Sequence, residues 1–110
     1  MYHVYMVRCA DGSHYTGLAS ALDNRMREHV GRLPACARYT RSRPVVALDA
    51  LWRTPTRADA ARLEALIKTL TKPQKLALIE SPGRLADFFP GRLDPARYEA
   101  VPNPSLDDYL

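Results

Sequence analysis

Five side chains in the first two-thirds of this chain have the types and spacing to handle a phosphate ester: Tyr5, Tyr15, Arg25, His29 and Glu64. Phosphodiester hydrolysis needs negative charge neutralised and a proton removed from water. A guanidinium, and a cation held by a carboxylate, do the first; a phenol or an imidazole does the second. An unaided phenol is a poor base, because its ordinary pKa is about 10. Tyr5 therefore needs a neighbour that takes its proton, for which His29 is suited, or a cation that favours phenolate, such as Arg25 or a hydrated metal. Arg25 offers two planar donors and keeps its charge. Each residue also has a plain structural reading: a strand aromatic filling core, a solvated helix arginine, a structural histidine, an exposed glutamate.

The elements that must position them follow from the local pattern. Tyr2 to Arg8 is apolar on both faces and reads as a central strand, with His14 to Leu18 as its partner. Between them Ala10-Asp11-Gly12 suits a three-residue hairpin loop with Gly12 left-handed. That loop pairs Val7 with Tyr15 and Tyr5 with Gly17, so both tyrosines share one face; a two-residue loop would separate them. Ser20 and Asp23 resemble a capping box for a helix over 21–30, with Leu22, Met26 and Val30 as its stripe and Arg25 and His29 beside it. Gly31 to Arg43 reads as a basic loop, with or without a short helix. Val45 to Trp52 is a third strand. Thr56 and Asp59 open a helix whose core face is Leu63, Leu66, Ile67 and Leu70, with Glu64 at its edge. Lys72-Pro73 starts another helix that runs to about Ile79.

Both this order and two stretches, Tyr5-Met6-Val7-Arg8-Cys9-Ala10-Asp11-Gly12-Ser13-His14-Tyr15-Thr16-Gly17 and Arg38-Tyr39-Thr40-Arg41-Ser42-Arg43-Pro44, resemble the GIY-YIG nuclease superfamily, and within it the small stand-alone bacterial branch. His3-Val4-Tyr5 stands where the family has Gly-Ile-Tyr, and Thr16 replaces an aliphatic residue. The resemblance covers about Tyr2 to Ile79. It implies that Tyr5 activates or positions water, that Tyr15 orients the phosphate or the water, that Gly17 allows close approach, and that Arg25 clamps phosphorus. His29 matches a position where several branches carry histidine, and Glu64 the metal-binding glutamate, for Mg²⁺ or Mn²⁺. Many relatives have a downstream amide near that glutamate; here Asn24 and Asn103 do not fit the place, which leaves Gln74.

The rest of the composition narrows the partners. At 110 residues the chain reads as one domain over 1–80 followed by an extension over 81–110, packed on the domain and frayed from about Pro102. Net charge is +4, but the extension carries three arginines against five acids, so the first 80 residues hold +6. A basic domain favours a polyanion. Arg38, Tyr39, Arg41 and Arg43, with Gly17, form the nucleic-acid-binding set, in which Tyr39 is either a stacking ring or part of the catalytic shell. Cys9 and Cys36 are too far apart in sequence for a metal motif and read as small packed residues. No apolar run reaches membrane length and no leader pattern opens the chain, which places it in the cytoplasm.

The expected fold is α/β with an α+β layout: a three-stranded antiparallel sheet flanked by helices. The expected activity is single-metal endonucleolytic hydrolysis of DNA, favouring single-stranded, branched or locally unpaired substrate, by a monomer or a dimer. The alternatives are a nucleic-acid-binding module with weak or lost catalysis and a protein-interaction adapter built on the same fold.

Overall fold

The computed structural model describes residues 1–31 and 37–110. Strand β1 (Tyr2–Cys9) and strand β2 (His14–Ala19) form the expected hairpin, followed by helix α1 (Leu22–Gly31) and a short helix α2 (Arg38–Arg41). Strand β3 (Val45–Thr54), helix α3 (Arg57–Lys68), helix α4 (Lys72–Glu80) and the one-turn helix α5 (Leu85–Phe88) come next. A two-residue strand β4 (Glu99–Ala100) and a final 3-10 turn (Leu106–Tyr109) complete the chain. Part of the predicted basic loop, and Cys36 with it, lies outside the described residues.

The sheet is antiparallel, in the order β2-β1-β3-β4. It has four strands rather than the predicted three. The fourth was hidden because Glu99-Ala100 is too short to carry an alternation signal; it is defined by its partners, Trp52 and Arg53. The hairpin has the predicted register. Tyr5 lies opposite Gly17 and Val7 opposite Tyr15. The Cys9 N–H bonds the Ser13 carbonyl at 2.8 Å, and Gly12 sits at φ +84°, which glycine adopts without strain. Between β1 and β3 the register shifts twice, at Met6/Val7 and at Arg8/Cys9. The first shift leaves Asp49 unpaired on β3, where its carboxylate takes a hydrogen bond from His14 Nε2 at 2.8 Å.

Side-chain alternation along β1 divides the core in two. Val4 and Met6 pack with Ala50 and Trp52 of β3 and with Leu63, Ile67 and Leu78 on the apolar faces of α3 and α4. Tyr5 and Val7 pack on the other side with Leu22 and Met26 of α1, Leu48 and Leu51. The helices therefore cover opposite sheet faces. Helix α3 is capped as the sequence predicts, Thr56 accepting the Asp59 N–H at 3.1 Å; at the start of α4, with Pro73 in its first turn as expected, Thr71 and Gln74 add a reciprocal capping box that was not anticipated.

The stripe of α1 differs from the periodicity reading. Val30 is 39% exposed, while His29 is fully buried beside Leu22 and Met26. A buried imidazole is costly unless both nitrogens are satisfied. Here they are, so the helix rolls toward His29 and leaves Val30 in solvent. The tail likewise differs from the fraying expected beyond Pro102, since Leu106 and Tyr109 lie on the Tyr5 side of the core. Phe89 is buried in the opposite cluster. The Trp52 indole N–H bonds the Pro82 carbonyl at 2.8 Å, tying β3 to the segment after α4. Replacing Trp52 by Phe removes that donor and part of a fully buried ring. The variant should lose about 1–3 kcal/mol of stability, read as a lowered urea midpoint by circular dichroism.

Candidate active site

The site is built outward from Tyr5, a fully buried side chain at the centre of β1. Its ring has room because the facing residue is Gly17: a Cβ there would press on the Tyr5 hydroxyl and come within 2.6 Å of Cζ. From α1, His29 brings Nε2 to 2.7 Å from the Tyr5 hydroxyl, and Arg25 donates from Nε to the same oxygen at 3.4 Å. These two residues are four apart, so both reach the sheet from one face of the helix. The other imidazole nitrogen, Nδ1, lies 2.7 Å from the hydroxyl of Thr40 on α2, and Thr40 in turn donates to the Ala37 carbonyl at 3.1 Å.

Tyr15 is on the same face, as the hairpin register requires. Its ring centroid is 6.4 Å from that of Tyr5 and 5.5 Å from that of His29. Tyr39 stacks on Tyr15 at 6.0 Å with a 26° interplanar angle, and the Arg43 guanidinium lies 4.2 Å from the Tyr39 centroid. Arg43 also pairs with Asp11 at 3.5 Å, closing the hairpin loop against the segment after α2. Arg38 and Arg41 are exposed on α2. Next to the stack, Ser13, His14, Tyr39, Lys72 and Lys75 line a pocket of about 210 Å³.

Glu64 comes to the site from the other side of the sheet. Helix α3 lies on the opposite sheet face from α1, and its polar edge reaches the tyrosines around the edge strand β2. Lys68 Nζ stands 5.9 Å from the Tyr15 ring centroid, and Glu64, 23% exposed, pairs with that ammonium at 3.6 Å. The Glu64 charge is near enough to disfavour ionisation of Tyr5. Among the described residues no three His, Cys, Asp or Glu side chains converge as metal ligands. An all-protein metal cage therefore does not fit. A Mg²⁺ ion held by one carboxylate, with water and phosphate oxygens as its other ligands, does fit the donor set. Gln74, the remaining amide, is occupied: its Oε1 accepts the Thr71 N–H at 2.8 Å.

Electrostatics set the resting proton. Burial pushes the Tyr5 phenol well above its ordinary range, against the opposing pull of the Arg25 donor. Burial, with a smaller contribution from the Arg25 charge, holds His29 down to about 4. The free site therefore keeps its proton on the phenol and a neutral imidazole beside it. Thr40 and the Asp49–His14 pair were not singled out from the sequence. Thr40 lies inside the stretch that carries the family resemblance, among basic residues, and its one local signal is a hydroxyl three residues after Ala37 at a helix start.

Two measurements check this geometry. Gly17→Ala forces the Tyr5 ring from its place, and should cost about 1–3 kcal/mol of stability with loss of the Tyr5–His29 bond, seen as a shifted His29 ring resonance. The second concerns pH. The folded chain resists protonating His29 until about pH 4, whereas the unfolded chain takes that proton near 6.5. The unfolded state thus binds more protons between those values, so the His29 contribution is complete above about 6.5 and is lost as pH falls toward 4. His29→Asn should show a shallower fall of unfolding free energy over that interval than the wild type.

The chain is similar in sequence to known proteins. The family model described as the GIY-YIG catalytic domain matches residues 1–77. A UPF0213 protein of Xanthomonas axonopodis pv. citri is 36% identical over 83 residues, 76% of this chain and 79% of that protein. One from Nitratidesulfovibrio vulgaris is 37% identical over 102 residues, 92% of this chain and 89% of its own length. The solution NMR structure of a UPF0213 protein from Bacillus halodurans aligns over 80% of this chain and 93% of that one, with 34% identity and a TM-score of 0.49. No described helix is long and apolar enough to cross a membrane. With its two tyrosines on one hairpin face, and a family match that runs from the first strand into α4, the chain belongs to the GIY-YIG catalytic domain family.

Proposed function

We propose that this protein is a metal-dependent endonuclease that hydrolyses DNA phosphodiester bonds at the Tyr5 centre. The observation that carries the reading is the buried contact of Tyr5 with both an acceptor and a cationic donor, His29 at 2.7 Å and Arg25 at 3.4 Å. A buried phenol that only fills core needs a single hydrogen-bond partner; a second, cationic one goes beyond that need. The Tyr5 hydroxyl is buried in the free site, so the bound substrate must first admit one water to it; that water, attacking phosphorus, gives its proton to the Tyr5 oxygen as the phenol proton passes to His29 Nε2. The hydroxide forms the new P–O bond, the leaving oxygen departs with the bonding pair, and solvent protonates it. With the free site holding its proton on the phenol, this transfer awaits the negative charge of a bound phosphodiester, which favours imidazolium.

Arg25 is placed to stabilise the charge that grows on the phosphoryl oxygens, and Tyr15 to orient the phosphate or the water. A divalent cation held by Glu64 would neutralise phosphate and favour hydroxide over water. The exposed Arg38 and Arg41, and the pocket lined by Lys72 and Lys75, supply sequence-independent contacts to the strand on either side. Tyr39 is engaged by Tyr15 and Arg43 within the protein, so it serves the shell of the catalytic group rather than a free stacking platform. A single hydrolytic centre in a narrow basic strip suits a flexible strand, and we assign single-stranded or locally unpaired DNA as the preferred substrate.

The test is a digest of one labelled oligonucleotide, free, annealed and branched, with Mg²⁺, Mn²⁺ or excess chelator. Cleavage should need the metal and be faster on the unpaired strand. Arg25→Lys should lower turnover by roughly 10²-fold or more, the scale of losing one donor to a transition-state oxyanion, with little change in binding. Glu64→Ala should abolish cleavage and keep binding. Binding without cleavage by the wild type under every metal condition would instead leave a nucleic-acid-binding module. Faster cutting of the perfect duplex would overturn the substrate preference.

A further inference from the structure

We propose that Thr40 is a positioning residue that fixes His29 in its Nδ1–H tautomer, which makes Nε2 the acceptor for the Tyr5 proton. Its catalytic consequence rests on the nuclease reading; the tautomer itself does not. A neutral imidazole has one N–H, and the bond made by one ring nitrogen decides which nitrogen carries it. The Thr40 hydroxyl has a single hydrogen. It is directed to the Ala37 carbonyl at 3.1 Å, so at Nδ1, 2.7 Å away, Thr40 can only accept. Nδ1 therefore holds the proton, and Nε2 offers its lone pair to the phenol.

The opposite end of the chain of bonds enforces the same direction. A guanidinium is only ever a donor, and Arg25 Nε donates into the Tyr5 oxygen. The phenol hydrogen is thereby turned toward Nε2. All the donors point one way: Arg25 to Tyr5, Tyr5 to His29, His29 to Thr40, Thr40 to Ala37. The reverse arrangement would aim two donors at the phenol oxygen. It would also leave the phenol hydrogen with no other acceptor among the described residues, in a side chain fully buried from water, and it would break the Thr40–Ala37 bond. Thr40 is itself fully buried, so no solvent molecule substitutes for it. The residue that fixes the base is thus carried by α2, the same short helix that presents Arg38 and Arg41.

The protein has only three histidines, so long-range ¹⁵N–¹H NMR can assign the His29 ring directly. Wild type should show Nδ1 protonated and Nε2 bare. Thr40→Val, equal in shape but lacking the hydroxyl, should lose that tautomer and lower kcat by on the order of 10²-fold, the scale of one general base, with KM little changed. Thr40→Ser should restore both the tautomer and most of kcat. An Nε2–H tautomer in the wild type overturns the proposal, and that measurement needs no variant to fold. So does a Thr40→Val protein that keeps the Nδ1–H tautomer and full kcat. A wild type with the Nδ1–H tautomer that cuts no DNA overturns the nuclease reading and leaves the tautomer assignment standing.

Discussion

The hydrogen bond between the Tyr5 hydroxyl and His29 Nε2, buried at 2.7 Å, is the constraint around which this molecule is arranged. Two polar groups taken out of water must satisfy each other, or the cost exceeds what the surrounding packing returns. That requirement sets the roll of α1, because His29 must face inward even at the expense of exposing Val30. It sets the residue across the hairpin, because only a glycine at 17 leaves space for the ring. It also draws α2 onto the body of the protein, since Nδ1 needs a partner and finds it in Thr40.

Burial here does two opposing things. It strengthens the directional bonds among Arg25, Tyr5, His29 and Thr40 by removing competing water. It also penalises the charged forms that catalysis needs, pushing the phenol up and the imidazole down. A site in this condition is quiet when empty. In the nuclease proposed above, the negative charge of a phosphodiester would shift the balance toward imidazolium, so the substrate would bring part of the electrostatics for its own attack.

The two helices divide the labour by approaching from opposite sheet faces. Helix α1 delivers the arginine and the imidazole from above the tyrosines. Helix α3 packs beneath the sheet and reaches around the edge strand β2, bringing Lys68 near Tyr15 and Glu64 with it. Because β2 is an edge strand, Lys68 and Glu64 come near Tyr15 while Arg25 reaches Tyr5 from the other side of the sheet. The segment after α4 keeps this frame closed through the Trp52–Pro82 bond and the short β4 pairing.

Much of this was legible in the amino-acid order. The hairpin loop length placed Tyr5, Tyr15 and Gly17 on one face, because side-chain alternation is a local property of a strand. Thr56 and Pro73 marked helix starts for equally local reasons, and the spacing of Arg25 and His29 put them on one side of α1. Three features were beyond reach. Periodicity alone gave Val30 to the core, because it weighs hydrophobicity and cannot see that His29 has two partners waiting. The two-residue β4 carries no pattern of its own. Thr40 and Ala37 become a tautomer-fixing pair only when α2 folds onto α1. Local chemistry determined which side chains share an element and a face; only the tertiary fold decided which polar groups were buried together, because the demand that each buried donor meet an acceptor is settled between elements distant in sequence.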